Sequence, residues 1–194
     1  MVERTEQQSV HLTDPRALRA VAHPVRLALL SQLRRRGPLT ATQASELVGE
    51  SPSSCSFHLR QLAKYGLVEE AGGGRGRERP WRATSQITDW PAVSEDPEFA
   101  PAAQLLETII AERYFHGLMH WLERRSGEPP EWQEAAAFGD QGLYLTAEEL
   151  AQLTRDLIAL GERFFARTAD SELRPTGARR VRFLHLAFPD ADDD

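Results

Sequence analysis

The sequence predicts a mainly α-helical chain with a small β component: a helical front part and a mixed α+β back part. Three observations lead there. Apolar residues recur at helical spacing through most of the chain, Gly and Pro punctuate the front at short intervals, and charge is divided unevenly. Residues 1–90 hold 13 Lys+Arg against 9 Asp+Glu, while residues 91–194 hold 10 against 20, so a net −6 chain has a basic front and an acidic back. Phosphate binding depends on local basic surface, so the front can meet DNA although the whole is acidic.

The front elements follow in order. The first ten residues are polar and expected to fray. Asp14-Pro15 offers an N-cap with Pro at the first helical position, and Leu18, Val21 and Ala22 give that helix an apolar side. His23-Pro24 interrupts, because the residue before Pro disfavours the α region. His23 is expected to pack between the first two helices. Pro24 then starts PVRLALLSQLRRR, whose stripe is Val25, Leu29, Leu30 and Leu33, and Gly37-Pro38 ends it. Thr40 caps ATQASELV, which Gly49 stops. Ser51 caps a fourth helix, about 52–65, with Cys55, Leu59 and Leu62 as its buried stripe and Gly66 at its close.

Two short helices separated by Gly49-Glu50 have helix-turn-helix spacing. Next come LVEEA, GGGRGRERP and WRAT, two short strands around a basic loop at 72–80, hence a β-hairpin wing. Pro91, Pro97 and Pro101 among acidic residues mark a boundary over 86–101, giving a DNA-binding domain over 11–90 and a helical domain over 91–194. The second domain should hold a long helix from about Pro97 to Ser126, a short one over EWQEAAAF, and a third after the Thr146/Glu149 capping box. GLYLT and RRVRFLHLAFP alternate as strands do and are expected to pair into a small two-stranded sheet.

In a helix-turn-helix the second helix enters the major groove with its N-terminal residues toward the bases. Here those are Ser53, Ser54, Ser56 and Phe57, then Arg60 and Gln61. Hydroxyls permit close approach. Phe57, exposed on this reading, suits a thymine methyl or a sugar. Lys64 fits a phosphate. Arg75, Arg77 and Arg79 alternate at the wing tip, where they can reach the minor groove or the backbone. Gly72-Gly73-Gly74 is no phosphate-binding loop, since neither GK[ST] nor a helix follows it.

The run LRAVAHPVRLALLSQLRRRGPLTATQASELVGESPSSCSFHLRQLAKYGLVEE resembles the winged helix-turn-helix domain of the ArsR family of bacterial repressors. HPVRLALL, S-x-x-FHLRQL and YGLVEE occur in the family's order, and the resemblance covers about residues 14–85. It implies a homodimeric transcription factor that binds double-stranded DNA, with Ser53, Ser54, Ser56, Phe57, His58 and Arg60 on the DNA-reading helix. It does not extend to the back half. The chain departs from metal-sensing members, whose thiolate motif needs at least two cysteines, because Cys55 is its one cysteine and lies on the buried side.

The long helix is apolar nearly all round. Leu106, Ile110, Tyr114, Leu118 and Trp121 are candidates for a dimer face, since a helix with two apolar faces must bury both. Glu112, His116 and His120 recur every four residues and could share a zinc ion, although Leu105, Ile109 and Met119 interrupt that stripe. Histidines at a helix or dimer seam are the plainer reading. Trp121, Trp132, Tyr144, Phe164 and Phe165 are candidates to line a small-molecule effector pocket, or equally to be core. There is no nucleophile-base constellation, no G-x-S-x-G and no HExxH, so no enzyme and no cofactor are expected. No apolar run is long enough to cross a membrane and the N-terminus lacks a signal-peptide core, so a cytoplasmic protein is expected. The sequence thus points to a DNA-binding regulator, a homodimeric repressor in its simplest form. A winged-helix module that binds protein, and a zinc-dependent sensor using Glu112, His116 and His120, are the alternatives.

Overall fold

The computed structural model describes residues 9–73 and 79–190. The chain is mainly helical with a small β component and divides into two packed units, residues 1–123 and 124–194. No helix among the described residues is long and apolar enough to cross a membrane.

The first unit runs β1 (Ser9–His11), α1 (Pro15–Val21), α2 (Pro24–Arg36), α3 (Ala41–Val48), α4 (Pro52–Ala63), β2 (Val68–Glu70), β3 (Trp81–Ala83), β4 (Ile87–Asp89) and α5 (Phe99–Arg124, ending at the unit boundary). The helix starts follow their caps. Asp14 accepts the Arg16 N–H, Thr40 and Gln43 form a reciprocal capping box, and Ser51 accepts the Ser54 N–H ahead of Pro52. His23 does more than interrupt: its Nδ1 accepts the Val25 N–H at 3.2 Å and so caps α2. Gly49 adopts a left-handed φ of 74° between α3 and α4, a conformation that only Gly reaches without strain.

These helices enclose one apolar cluster. Leu18 and Val21 from α1, Leu29 and Leu33 from α2, Ala44 from α3, and Cys55, Leu59 and Leu62 from α4 meet in it. Each buried leucine contributes about 1.5–3 kcal/mol relative to exposure. The hairpin closes one side. β2 pairs antiparallel with β3, Val68 opposite Ala83, and Leu39 bridges to Trp81 on the far edge of β3. Arg34 ties α2 to the chain beyond, donating from Nε to the Ser85 carbonyl at 2.9 Å and from Nη2 to Thr88 Oγ1 at 2.6 Å. Burial pulls this guanidinium down to about 10, still charged at neutral pH.

Three features differ from the sequence expectation or extend it. Ser9 and Val10 are not frayed: β1 pairs parallel with β4, Ser9 opposite Ile87, and His11 Nδ1 meets Asp89 Oδ1 at 2.5 Å. The first packed unit runs on through Glu123, because Phe99, Ala102, Ala103 and Leu106 of α5 are buried in its core. The third concerns the second unit. It holds α6 (Pro130–Ala135), α7 (Ala147–Glu162), capped by the Thr146/Glu149 box, and a short α8 (Ala166–Ala169). Neither GLYLT nor RRVRFLHLAFP forms a strand; the β-structure of the described residues lies in the first unit. Alternation alone does not hold a two-stranded pair in water, and Val181, Phe183, Leu186 and Phe188 remain exposed.

Candidate nucleic-acid interface

Helix α4 has two sides. Cys55, His58, Leu59 and Leu62 face inward and are buried. Ser53, Phe57, Arg60 and Lys64 recur at spacings of four, three and four and are all exposed, Phe57 by 50%. Ser54, Ser56 and Gln61 flank this ridge and are half-buried. A large aromatic at half exposure beside two cations is a surface that water alone does not favour.

His58 belongs to the other side. At 9% exposure it is not on the ridge, contrary to its grouping with Phe57 and Arg60 on the resemblance. The reason is its register: three residues after Cys55 and four before Leu62, it falls in the core stripe. Its ring lies against that of His23, centroids 4.6 Å apart, and meets the edge of Phe57 at 5.3 Å. Burial lowers the pKa of both histidines. Cys55 is fully buried, and burial, with Glu50 nearby, raises its thiol pKa.

Beside the ridge, α3, α4 and the hairpin form a cleft of about 390 Å³ lined by Thr40, Ala41, Thr42, Ser56, Arg60, Glu70, Arg79 and Trp81. Arg60 Nη1 donates to Ser56 Oγ at 2.7 Å, and Arg79 Nη1 donates to Glu70 Oε2 at 2.9 Å. Both guanidiniums keep most of their donors for an anion. Arg82 pairs with Glu69 on the hairpin surface. Arg75 and Arg77 lie outside the described residues.

Residues 21–71 match the family model of a helix-turn-helix domain. The match spans α2, α3, α4 and β2, the elements that build and support the ridge. It supports a DNA-binding regulator of transcription. No curated protein matches the sequence.

The remaining candidate residues are dispersed. Leu106 is 0% exposed inside its own chain and so is not open to a second copy; Ile110, packed against the same core, is half-buried, as are Tyr114, Leu118 and Trp121. The exposed apolar residues of α5 are instead Leu105, Phe115, Met119 and Leu122. Glu112, His116 and His120 are exposed, His120 stands 3.9 Å from Glu123, and no cluster of three metal-ligating residues forms among the described residues. In the second unit, Arg179 lies over Trp132 at 5.0 Å and Arg163 and Arg167 flank Phe164, while Tyr144 is fully exposed.

Proposed function

We propose that the chain is an ArsR-like winged helix-turn-helix repressor that binds double-stranded DNA as a homodimer in the cytoplasm. Within a DNA-binding domain over 11–90, α4 occupies the major groove. Ser53, Phe57 and Arg60 face bases and Lys64 faces phosphate, with Ser54, Ser56 and Gln61 at the margins. The hairpin, through Arg79 and with Arg75 and Arg77 close to it in sequence, follows the backbone or minor groove. The observation that carries this reading is the exposed Ser53–Phe57–Arg60–Lys64 ridge on a helix whose opposite side is fully packed. Repression follows from exclusion of RNA polymerase at an occupied promoter.

Dimerisation is supported by Leu105, Phe115, Met119 and Leu122, which give α5 an exposed apolar side. Two copies related by a two-fold axis present two ridges to half-sites one helical turn apart. The test is capture of genomic fragments by the purified protein, followed by sequencing and a gel shift with competitor. Recovery of a shared, two-fold symmetric motif is the expected result. Capture of no fragment above competitor would instead favour a winged helix that binds protein.

A further inference from the structure

Against the inner side of α4, at His58, lies a polar cluster that the DNA-reading ridge does not use. His58 Nδ1 is buried without a hydrogen-bond partner, and so is Arg26 Nε. His23 stands ring to ring with His58 and spends its Nδ1 lone pair on the Val25 N–H. That bond requires an unprotonated Nδ1, so neutral His23 carries its proton on Nε2. Two other charged groups act on the pair: Arg26 from the first turn of α2, and Glu50 from the turn that enters α4. One guanidinium and one carboxylate balance only while both imidazoles are neutral.

Resting on the DNA-binding reading above, we propose that the His23–His58 pair is a pH-sensitive latch on the recognition helix. Neutral, the two tilted rings in contact hold α4 against the start of α2; protonated, they separate and DNA binding is lost. Protonation of His23 at Nδ1 ends its cap on α2 and sets a cation at a helix N-terminus, against the helix dipole. Protonation of His58 places a charge in the core stripe, beside His23 and Arg26. Burial is the largest cause of the lowered pKa at both residues, with Arg26 acting in the same direction and Glu50 opposing. Both folded values therefore lie below the ordinary 6.5. The unfolded chain takes up these protons first, so the stabilisation is whole above that value and is lost as the pH falls toward the folded values. His58 is flanked in sequence by Phe57 and touches it, so an outward movement of His58 displaces the ridge itself.

The opposite behaviour is the natural competitor: an imidazolium near phosphate should strengthen binding in acid. The tightest-binding genomic duplex from the capture experiment is therefore titrated from about pH 7.5 to about pH 5.5 at fixed ionic strength. Imidazole resonances of the free and duplex-bound protein are followed in parallel. The latch requires a loss of affinity of about tenfold or more in acid. It also requires imidazole pKa values below 6.5 in the free protein, lower still with duplex bound, because linkage is reciprocal. The double variant His23→Asn/His58→Gln keeps a capping side chain and removes both titrations, so its affinity should change by less than about twofold over the same range. Constant or rising affinity in acid, resonances that shift upward on binding, or an acid loss that persists in the double variant would overturn the latch. The wild-type resonances decide the matter even where the double variant does not fold. Absence of duplex binding at every pH removes the DNA reading and the latch with it, whereas binding with a flat profile removes the latch alone.

Discussion

Arg60 donates from Nη1 to Ser56 Oγ one turn earlier on α4, at 2.7 Å. The contact lays the guanidinium along the exposed ridge, beside the cleft shared with Thr42 and Arg79. A pre-positioned arginine loses less freedom on binding than a free one. Arg60→Ala should therefore weaken binding to the captured duplex by about 1–3 kcal/mol, roughly 5- to 150-fold. Arg167→Ala, at an exposed residue over Phe164 in the second unit, should leave it unchanged. Fluorescence anisotropy on both variants checks this, and equal losses would count against α4 as the reading helix.

Lys64, at the C-terminal end of the same ridge, is assigned to phosphate. Lys64→Ala should weaken binding to all duplexes alike. It should also make the slope of log affinity against log salt shallower by about one unit per subunit. A salt titration on specific and scrambled duplexes measures both.

Arg34 holds α2 to the Ser85–Thr88 segment by two hydrogen bonds. Replacing it with Met should cost about 2 kcal/mol or more, because the Ser85 carbonyl and the Thr88 hydroxyl lose a charged donor. Lys should not restore the loss, since one ammonium cannot reproduce a two-pronged fork. Urea denaturation of both variants gives the comparison.

Cys55 is sealed in the core, and its thiol pKa is raised by burial and by Glu50. Modification by a thiol reagent near neutral pH should be slow in the native protein and should quicken as urea populates the unfolded state. Rapid labelling without denaturant would show that α4 lifts from the core far more often than its packing implies.

Much of the front was legible because its signals are local. Asp14, Thr40 and Ser51 each cap within three residues, and the apolar stripe of α4 lies within one helix. The inward placement of His58 is legible too, from its spacing to Cys55 and Leu62. The capping role of His23 was harder to see, because imidazole is not a usual N-cap side chain. The parallel β1–β4 pair joins residues 78 positions apart, which no short window contains. The reach of the first packed unit into α5 is hidden for a similar reason. Proline and acidic residues mark a break in local structure, whereas Phe99 and Leu106 respond to a core assembled from distant elements. In the second unit, alternation in RRVRFLHLAFP carried no information about whether a neighbouring strand existed to receive it.

The β1–β4 pair also has a mechanical side. Leu12 N–H donates to the Asp89 carbonyl at 2.8 Å, Trp90 Nε1 donates to Glu107 on α5 at 3.0 Å, and Arg19 pairs with Glu98. The segments entering and leaving the helix-turn-helix are thus tied to each other and onward to α5. Trimming the chain back past His11 would slacken not just its beginning but the anchorage of α5, so a minimal fragment of this unit needs both segments to hold its tension.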